Sequence, residues 1–219
     1  MDAFDDMFRR LNLTTDEEKK QFMITNIASF TDYNIINYFN SLQQKVHRVF
    51  RRNKKKFNKH DHIDILDDDS EHTIEQIKEE YKRKQRTMKY GEVWQIAMGN
   101  FPGWEDLGIG HACGCDVRKK DNSAMIELKN KWNTVNSGSQ ESLERKLSAY
   151  KKDNPDTECI WGIINAKKGN RHLHTQYEKF GQTITKRQGE NLLSFVFTYE
   201  DHDYSQEVID ELRYIVSQY

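Results

Sequence analysis

The strongest constraint on the fold is an alternation in residues 124–132, where Ala124, Ile126 and Leu128 fall on one face and Glu127 and Lys129 on the other. Side chains of a strand point to opposite faces in turn, so this segment predicts a strand with one apolar face and one charged face. Cys115–Arg118 precedes it as a second strand across the polar turn 119–123. A helix follows over Gln140–Lys152, with Leu143, Leu147 and Tyr150 on one face and Asn154 and Pro155 stopping it. Cys159–Asn165 is then short and apolar, as a buried strand requires. Strand, crossover helix and strand imply a parallel pair joined right-handedly, which places the chain in the α/β (α+β) class with a mixed sheet flanked by helices. Leu192–Tyr199 is read as a further strand. Ser205–Ser217 is read as a closing helix, with Ser205 as cap and Val208, Ile209, Leu212, Ile215 and Val216 inward.

The first half carries helical periods instead. Phe4, Met7, Phe8 and Leu11 are spaced for a short helix, and Thr15 with Glu18 forms a capping box that opens a second, using Phe22, Met23 and Ile27. Ile35, Ile36, Phe39, Leu42, Val46, Val49 and Phe50 recur at 3.6-residue spacing and predict one long amphipathic helix. Ile74, Ile77 and Tyr81 mark another helix, and 92–98 one more, ending at Gly99 and Pro102. The chain is divided into a helical region, 1–72, and a core, 73–219.

Charge narrows the partners. The net charge of −1 excludes a uniformly basic surface. Eight Lys or Arg nevertheless crowd into 45–59 (Lys45, Arg48, Arg51, Arg52, Lys54, Lys55, Lys56, Lys59), followed by six acids in 61–71. Such a run, interleaved with Val46, Val49, Phe50 and Phe57, can lie along phosphates, with Lys54 and Lys55 at its centre; it can equally be a solvated helix end neutralised by the acids after it. No apolar run reaches membrane-spanning length, and residues 1–10 carry acids where a signal peptide needs apolar residues, so a cytoplasmic protein is expected. Three cysteines, Cys113, Cys115 and Cys159, give no disulfide pattern.

The chemistry concentrates in the hairpin. With Asp121 and Asn122 as turn residues, the register pairs 120 with 123 and, counting back, Asp116 with Glu127. Two carboxylates about 5 Å apart on one face repel unless neutralised, and a hard divalent cation is the usual partner.

Gly114-Cys115-Asp116 followed by Glu127-Leu128-Lys129 resembles the PD-(D/E)XK nuclease superfamily. The segment from Phe101-Pro102-Gly103-Trp104 to His111, with Asn130-Lys131-Trp132-Asn133-Thr134, is similar to restriction enzymes that recognise GGNCC-type sites, over about residues 88–166. Cys115 stands where the superfamily name has proline. The resemblance implies an αβββαβ core and a type II restriction endonuclease. It also implies Mg²⁺, replaceable by Mn²⁺, bound by Asp116, Glu127 and the Leu128 carbonyl. Lys129 would orient the attacking water, and the products would carry 5′-phosphates. Glu92 is the candidate for an additional acidic catalytic residue, with Glu105 its rival. The implied partners are double-stranded DNA, a second copy of the chain in a homodimer, and a companion DNA methyltransferase. Other superfamily nucleases (a junction resolvase, a repair or DNA-degrading enzyme) or a non-catalytic DNA-binding protein are the competing readings.

Further residues are assigned to DNA. Asn130, Thr134 and Asn136 follow the lysine and can hydrogen-bond substrate, although turn and helix-entry chemistry also accounts for them. Lys167, Lys168 and Arg171 follow the strand ending at Asn165, and Arg171 has the donor fork that reads guanine. His111, Cys113 and Cys115 alternate as zinc ligands could, but a structural zinc wants four, so buried strand cysteines are the expectation. The stripe through Ile35, Phe39 and Leu42 is expected to form an isologous dimer face.

Overall fold

The computed structural model describes residues 14, 15, 18, 33–52, 57, 58, 62, 70–108, 111 and 114–219. The expected helix at 4–11 and the body of the next lie outside these residues, as do Lys54 and Lys55. The capping box itself is in place: the Glu18 carboxylate accepts from the Thr15 N–H at 3.0 Å, and the Thr15 hydroxyl accepts from the Glu18 N–H at 3.2 Å.

Helix α1, Tyr33–Arg51, forms where the 3.6-residue stripe predicts it. Helix α2, Glu71–Gly99, is capped by the Ser70 side chain, which accepts from the Thr73 N–H. It is one helix of 29 residues where two were expected, because the polar 82–91 stretch has the helix-forming composition to carry the backbone through. The chain then enters β1 (Trp104–Asp106), β2 (Val117–Lys119) and β3 (Ala124–Lys131), crosses through α3 (Ser137–Asp153) to β4 (Glu158–Asn165), and returns as the hairpin β5 (His174–Lys179) and β6 (Gln182–Gln188). Helix α4 (Glu190–Phe197), the two-residue strands β7 (Thr198–Tyr199) and β8 (His202–Asp203), and α5 (Ser205–Ser217) complete it.

The six-stranded sheet has the order β1-β2-β3-β4-β6-β5. Its β1-β2-β3 side is antiparallel, β3-β4 and β4-β6 are parallel, and β5 runs antiparallel at the edge. The order α2-β1-β2-β3-α3-β4 is the αβββαβ order expected. Alternation splits the core in two. Ala124, Ile126, Ile160 and Ile164 face α1, α2, α4 and α5, whereas Met125, Cys159, Trp161, Ile163 and Ile184 face α3. Helix α3 thus covers the face that bears Glu127.

Three expectations are corrected. Leu192–Tyr199 is not a strand: 190–197 is helical, and its buried residues Leu192, Leu193, Val196 and Phe197 recur at helical spacing within what read as one apolar run. Ser205 is not the cap of α5 but its first residue; its N–H and hydroxyl both donate to the Asp203 carboxylate, two residues earlier. The α1 stripe is not a surface for a second copy. Ile35 and Leu42 are fully buried against the chain's own α2 and α5, and Phe39 packs on the same cluster, which also takes in β4 and α4. Among the described residues no helix is long and apolar enough to cross a membrane.

Burial of Leu42 inside the monomer sets the outcome of its truncation. Leu42→Ala should lower the unfolding free energy by about 3 kcal/mol, the usual cost of a leucine-sized cavity, with the assembly state unchanged in sedimentation. Loss of assembly at unaltered thermal stability would restore the interface reading.

Candidate active site

The hairpin forms with the expected register. Val117 pairs with Ile126 and Arg118 with Met125, around a turn in which Asn122 takes φ 61° and the Asp121 carboxylate accepts from the Ser123 N–H at 2.9 Å. At the next position the expected pairing of Asp116 with Glu127 does not form. Asp116 donates its N–H to the Ile126 carbonyl at 3.0 Å, so Asp116 and Val117 both face Ile126, the pattern of a β-bulge. The bulge swings the Asp116 carboxylate onto the backbone: Oδ2 accepts from the Leu128 N–H at 2.7 Å. Its own carbonyl is held by the N–H of Leu107, the residue after β1, at 3.0 Å. The aspartate is therefore fixed at both its main chain and its side chain, between β1 and β3.

Glu127 faces α3 and its side chain is only 8% exposed. Each oxygen carries an ammonium partner. Lys129, two residues along the same strand, donates to Oε1 at 2.6 Å, and Lys146, from α3, donates to Oε2 at 2.8 Å. Burial, then the charge of Glu127, pushes the Asp116 carboxyl up to about 6; the Leu128 N–H and the ammoniums of Lys129 and Lys146 oppose this without cancelling it. Two carboxylates and two ammoniums thus share a half-buried site, and burial still holds the Asp116 carboxyl above the usual carboxylate range. No hydrogen bond from the described residues reaches the second oxygen of Asp116. Two neighbouring carboxylates, one with an oxygen left open, are the hard oxygen donors that a divalent cation takes.

The pairing of β3, β4 and β6 extends the site sideways. Glu127 lies beside Trp161, and Trp161 beside Lys186, in one row across the sheet. The Lys186 ammonium sits 3.9 Å from the centre of the Trp161 ring. Burial lowers the Lys186 pKa, and the charge of Glu144 works against that fall. Glu144, buried on α3, accepts from Gln140 at 2.8 Å and from the Tyr177 hydroxyl at 3.3 Å, and pairs with Lys179 at 3.3 Å. These contacts tie α3 to β5 and hold it over the row.

The other residues singled out in the sequence fall into three groups. Glu92 lies on α2 and pairs with Arg52 at 2.6 Å, and Glu105 pairs with Arg118 at 2.8 Å; among the described residues neither has a hydrogen bond or ion pair to the hairpin carboxylates. The described residues also hold no group of three His, Cys, Asp or Glu side chains arranged for a metal, which leaves Asp116 and Glu127 as a pair. Asn136 caps α3 by accepting from the Ser139 N–H, and the Thr134 hydroxyl donates to the Lys131 carbonyl, so both are engaged in the entry to that helix. Asn130 accepts from the Asn165 side chain at 2.7 Å, joining the ends of β3 and β4. On the same rim Lys167 lies over the ring of the exposed Trp132, at 5.5 Å, with Lys168 and Arg171 exposed after it. Cys115 and Cys159 are buried thiols in the cluster under α3, as expected of strand cysteines.

Sequence reasoning missed Lys146, Lys186 and Glu144. The β5–β6 hairpin was not visible at all, because its alternation is largely polar on both faces. Lys146 is one of several lysines and arginines on an amphipathic helix; only its place one residue before the inward Leu147 hinted at the side it takes.

A mixed sheet in αβββαβ order, with two carboxylates and a lysine on its central hairpin, defines a restriction-endonuclease-like architecture. The family described as Eco47II restriction endonuclease matches residues 27–192, 166 of the 219 residues, and the chain belongs to that family. The match takes in α1, which agrees with the place of that helix in the core. The type II restriction enzyme Sau96I of Staphylococcus aureus is 32% identical over 85 residues, 38% of this chain, and the match spans only 32% of the length of that relative.

The close fit before Asp116 makes a testable demand. Gly114 has φ +67°, and a Cβ there would lie 2.9 Å from Lys146 Cε. Gly114→Ala should cost about 1 kcal/mol from the left-handed backbone alone, read as a lowered melting temperature. An unchanged melt would show that the loop before Asp116 does not hold this conformation.

Proposed function

We propose that the chain is a type II restriction endonuclease, a divalent-cation-dependent enzyme that hydrolyses phosphodiester bonds of double-stranded DNA at a specific sequence and leaves 5′-phosphates. The observation that carries this reading is the bulged hairpin, which brings Asp116 beside a buried Glu127 with the Lys129 ammonium 2.6 Å from that carboxylate, in a chain of the Eco47II family. Asp116, Glu127 and the Leu128 carbonyl are the groups that would hold Mg²⁺, or Mn²⁺ in its place. Bound there, the cation would polarise the scissile phosphate and make a nearby water more acidic.

The chain's own groups supply the rest. Lys129 orients the attacking water from the side of Glu127 and offsets the charge that develops on the phosphate in the transition state. The Leu128 N–H holds one oxygen of the Asp116 carboxylate against the β3 backbone, beside Glu127 in sequence. Asn130, Lys167, Lys168 and Arg171, on the rim formed by the ends of β3 and β4, are the contacts proposed for DNA; Thr134 and Asn136 support that rim through the entry to α3. Glu92, paired with Arg52, ties the end of α1 to α2 and is given no part in binding the cation.

One such site cuts one strand. Cutting both strands of a symmetric sequence calls for two sites related by the dyad of the DNA, so the active form is proposed as a homodimer whose interface lies outside the α1 stripe. A methyltransferase of matching specificity is the expected companion, since host DNA carries the same sequence.

Purified protein with plasmid DNA tests the reading. Mg²⁺ or Mn²⁺ should give discrete fragments with 5′-phosphates, EDTA should abolish cutting, and Ca²⁺ should permit binding with little turnover; duplexes carrying GGNCC-type sites are the first substrates to try. Asp116→Ala, Glu127→Ala and Lys129→Ala should each lower the cutting rate by about a hundredfold or more while the fold persists. Undiminished cutting by a folded Glu127→Ala protein, or full activity in EDTA, would sink the assignment. A chain that stays monomeric in light scattering with and without cognate DNA would remove the dimer.

A further inference from the structure

Lys146 has no part in the chemistry above, yet the site is shaped around it. Its ammonium donates to Glu127 Oε2 at 2.8 Å and also to the Gly114 carbonyl, two residues before Asp116. Gly114 lacks the side chain that would meet Lys146 Cε, so the loop closes directly onto the lysine stem. The Lys146 side chain is 34% exposed, against 63% for its neighbour Arg145 on the same helix. Lys129 already neutralises one oxygen of Glu127. A second ammonium from another element therefore occupies the carboxylate that a divalent cation would use.

We propose that Lys146 is a built-in counter-cation of the metal centre: it stands in for the divalent charge at Glu127 Oε2 and competes with the cation for that oxygen. This rests on the reading of Asp116 and Glu127 as cation ligands. An ammonium and a dication on one carboxylate repel each other across a few ångströms in a partly dry pocket, where the interaction is stronger than in water. The cation must therefore displace Lys146, whose long flexible stem lets it swing away while the bonds of Glu144 hold α3 in place. Lys146 is thus a positioning residue, acting through Glu127. Its presence keeps the protein's affinity for divalent ions low until something else draws the ammonium off.

Titration of the full chain with Mn²⁺ alone, by calorimetry and without DNA, tests this. Lys146→Met and Lys146→Gln should bind Mn²⁺ about tenfold more tightly than the wild type, the scale of one charge-assisted contact. Lys146→Arg, which keeps the charge, should stay close to the wild type. In EDTA the two neutral variants should melt below the wild type, and added Mn²⁺ should raise their melting temperature by more than it raises that of the wild type. Lys146→Gln keeps a donor for the Gly114 carbonyl and reports even if Lys146→Met does not fold. Unchanged or weaker Mn²⁺ affinity in the neutral variants overturns the proposal while leaving the metal centre standing. Wild-type protein with no Mn²⁺ binding that Glu127→Gln removes overturns the metal centre itself.

Discussion

The site depends on one electrostatic problem, a carboxylate that the fold has removed from water. Glu127 lies on the central strand of the sheet beneath α3, and an ionised group so placed must be paired or hydrogen-bonded on both oxygens to be tolerated. Lys129 and Lys146 do this from two different elements. The rest of the face is arranged about that pairing: the bulge brings Asp116 alongside, Gly114 makes room for the lysine, and the buried Glu144 secures the helix that delivers it.

The division of the sheet into two faces explains how such a polar cluster coexists with a stable core. Ala124, Ile126 and Leu128 give β3 an apolar underside against four helices, and that larger cluster carries most of the burial. The α3 face is thinner, made of Met125, Cys159, Trp161, Ile163 and Ile184 with Leu143 and Leu147. Polar residues enter it at both ends of the row, as Glu127 near the bulge and Lys186 on β6, and along the β5 edge.

The central hairpin was legible in the sequence because its information is local. A two-residue period, a turn of Asp and Asn and an even count set the pairing of Val117 with Ile126 and of Arg118 with Met125, but not the bulge that takes Asp116 out of step with Glu127. The crossover helix and β4 followed from the same kind of signal. What escaped was decided by distant contacts. The 192–197 run is apolar whether helical or extended, and only its burial by neighbouring elements selects the helix. The α1 stripe was visible as a stripe, but nothing in it says whether the apolar partner belongs to the same chain or to another. Strands β5 and β6 lack an apolar face to announce them, and Lys146 gains its meaning from a carboxylate 19 residues away on another element.

The two carboxylates and Lys129 come from a hairpin whose turn spans only a few residues, so their encounter needs little loop closure. The parallel pairing of β3 with β4 must wait for the whole of α3 and is intrinsically slower. On this ordering the acidic pair meets before the helix that carries Lys146 has docked. Repulsion between Asp116 and Glu127 then weighs on the nascent hairpin, eased at first by Lys129 alone. The final docking of the crossover helix brings the second ammonium, so completion of the sheet and relief of that repulsion occur as one late, cooperative event.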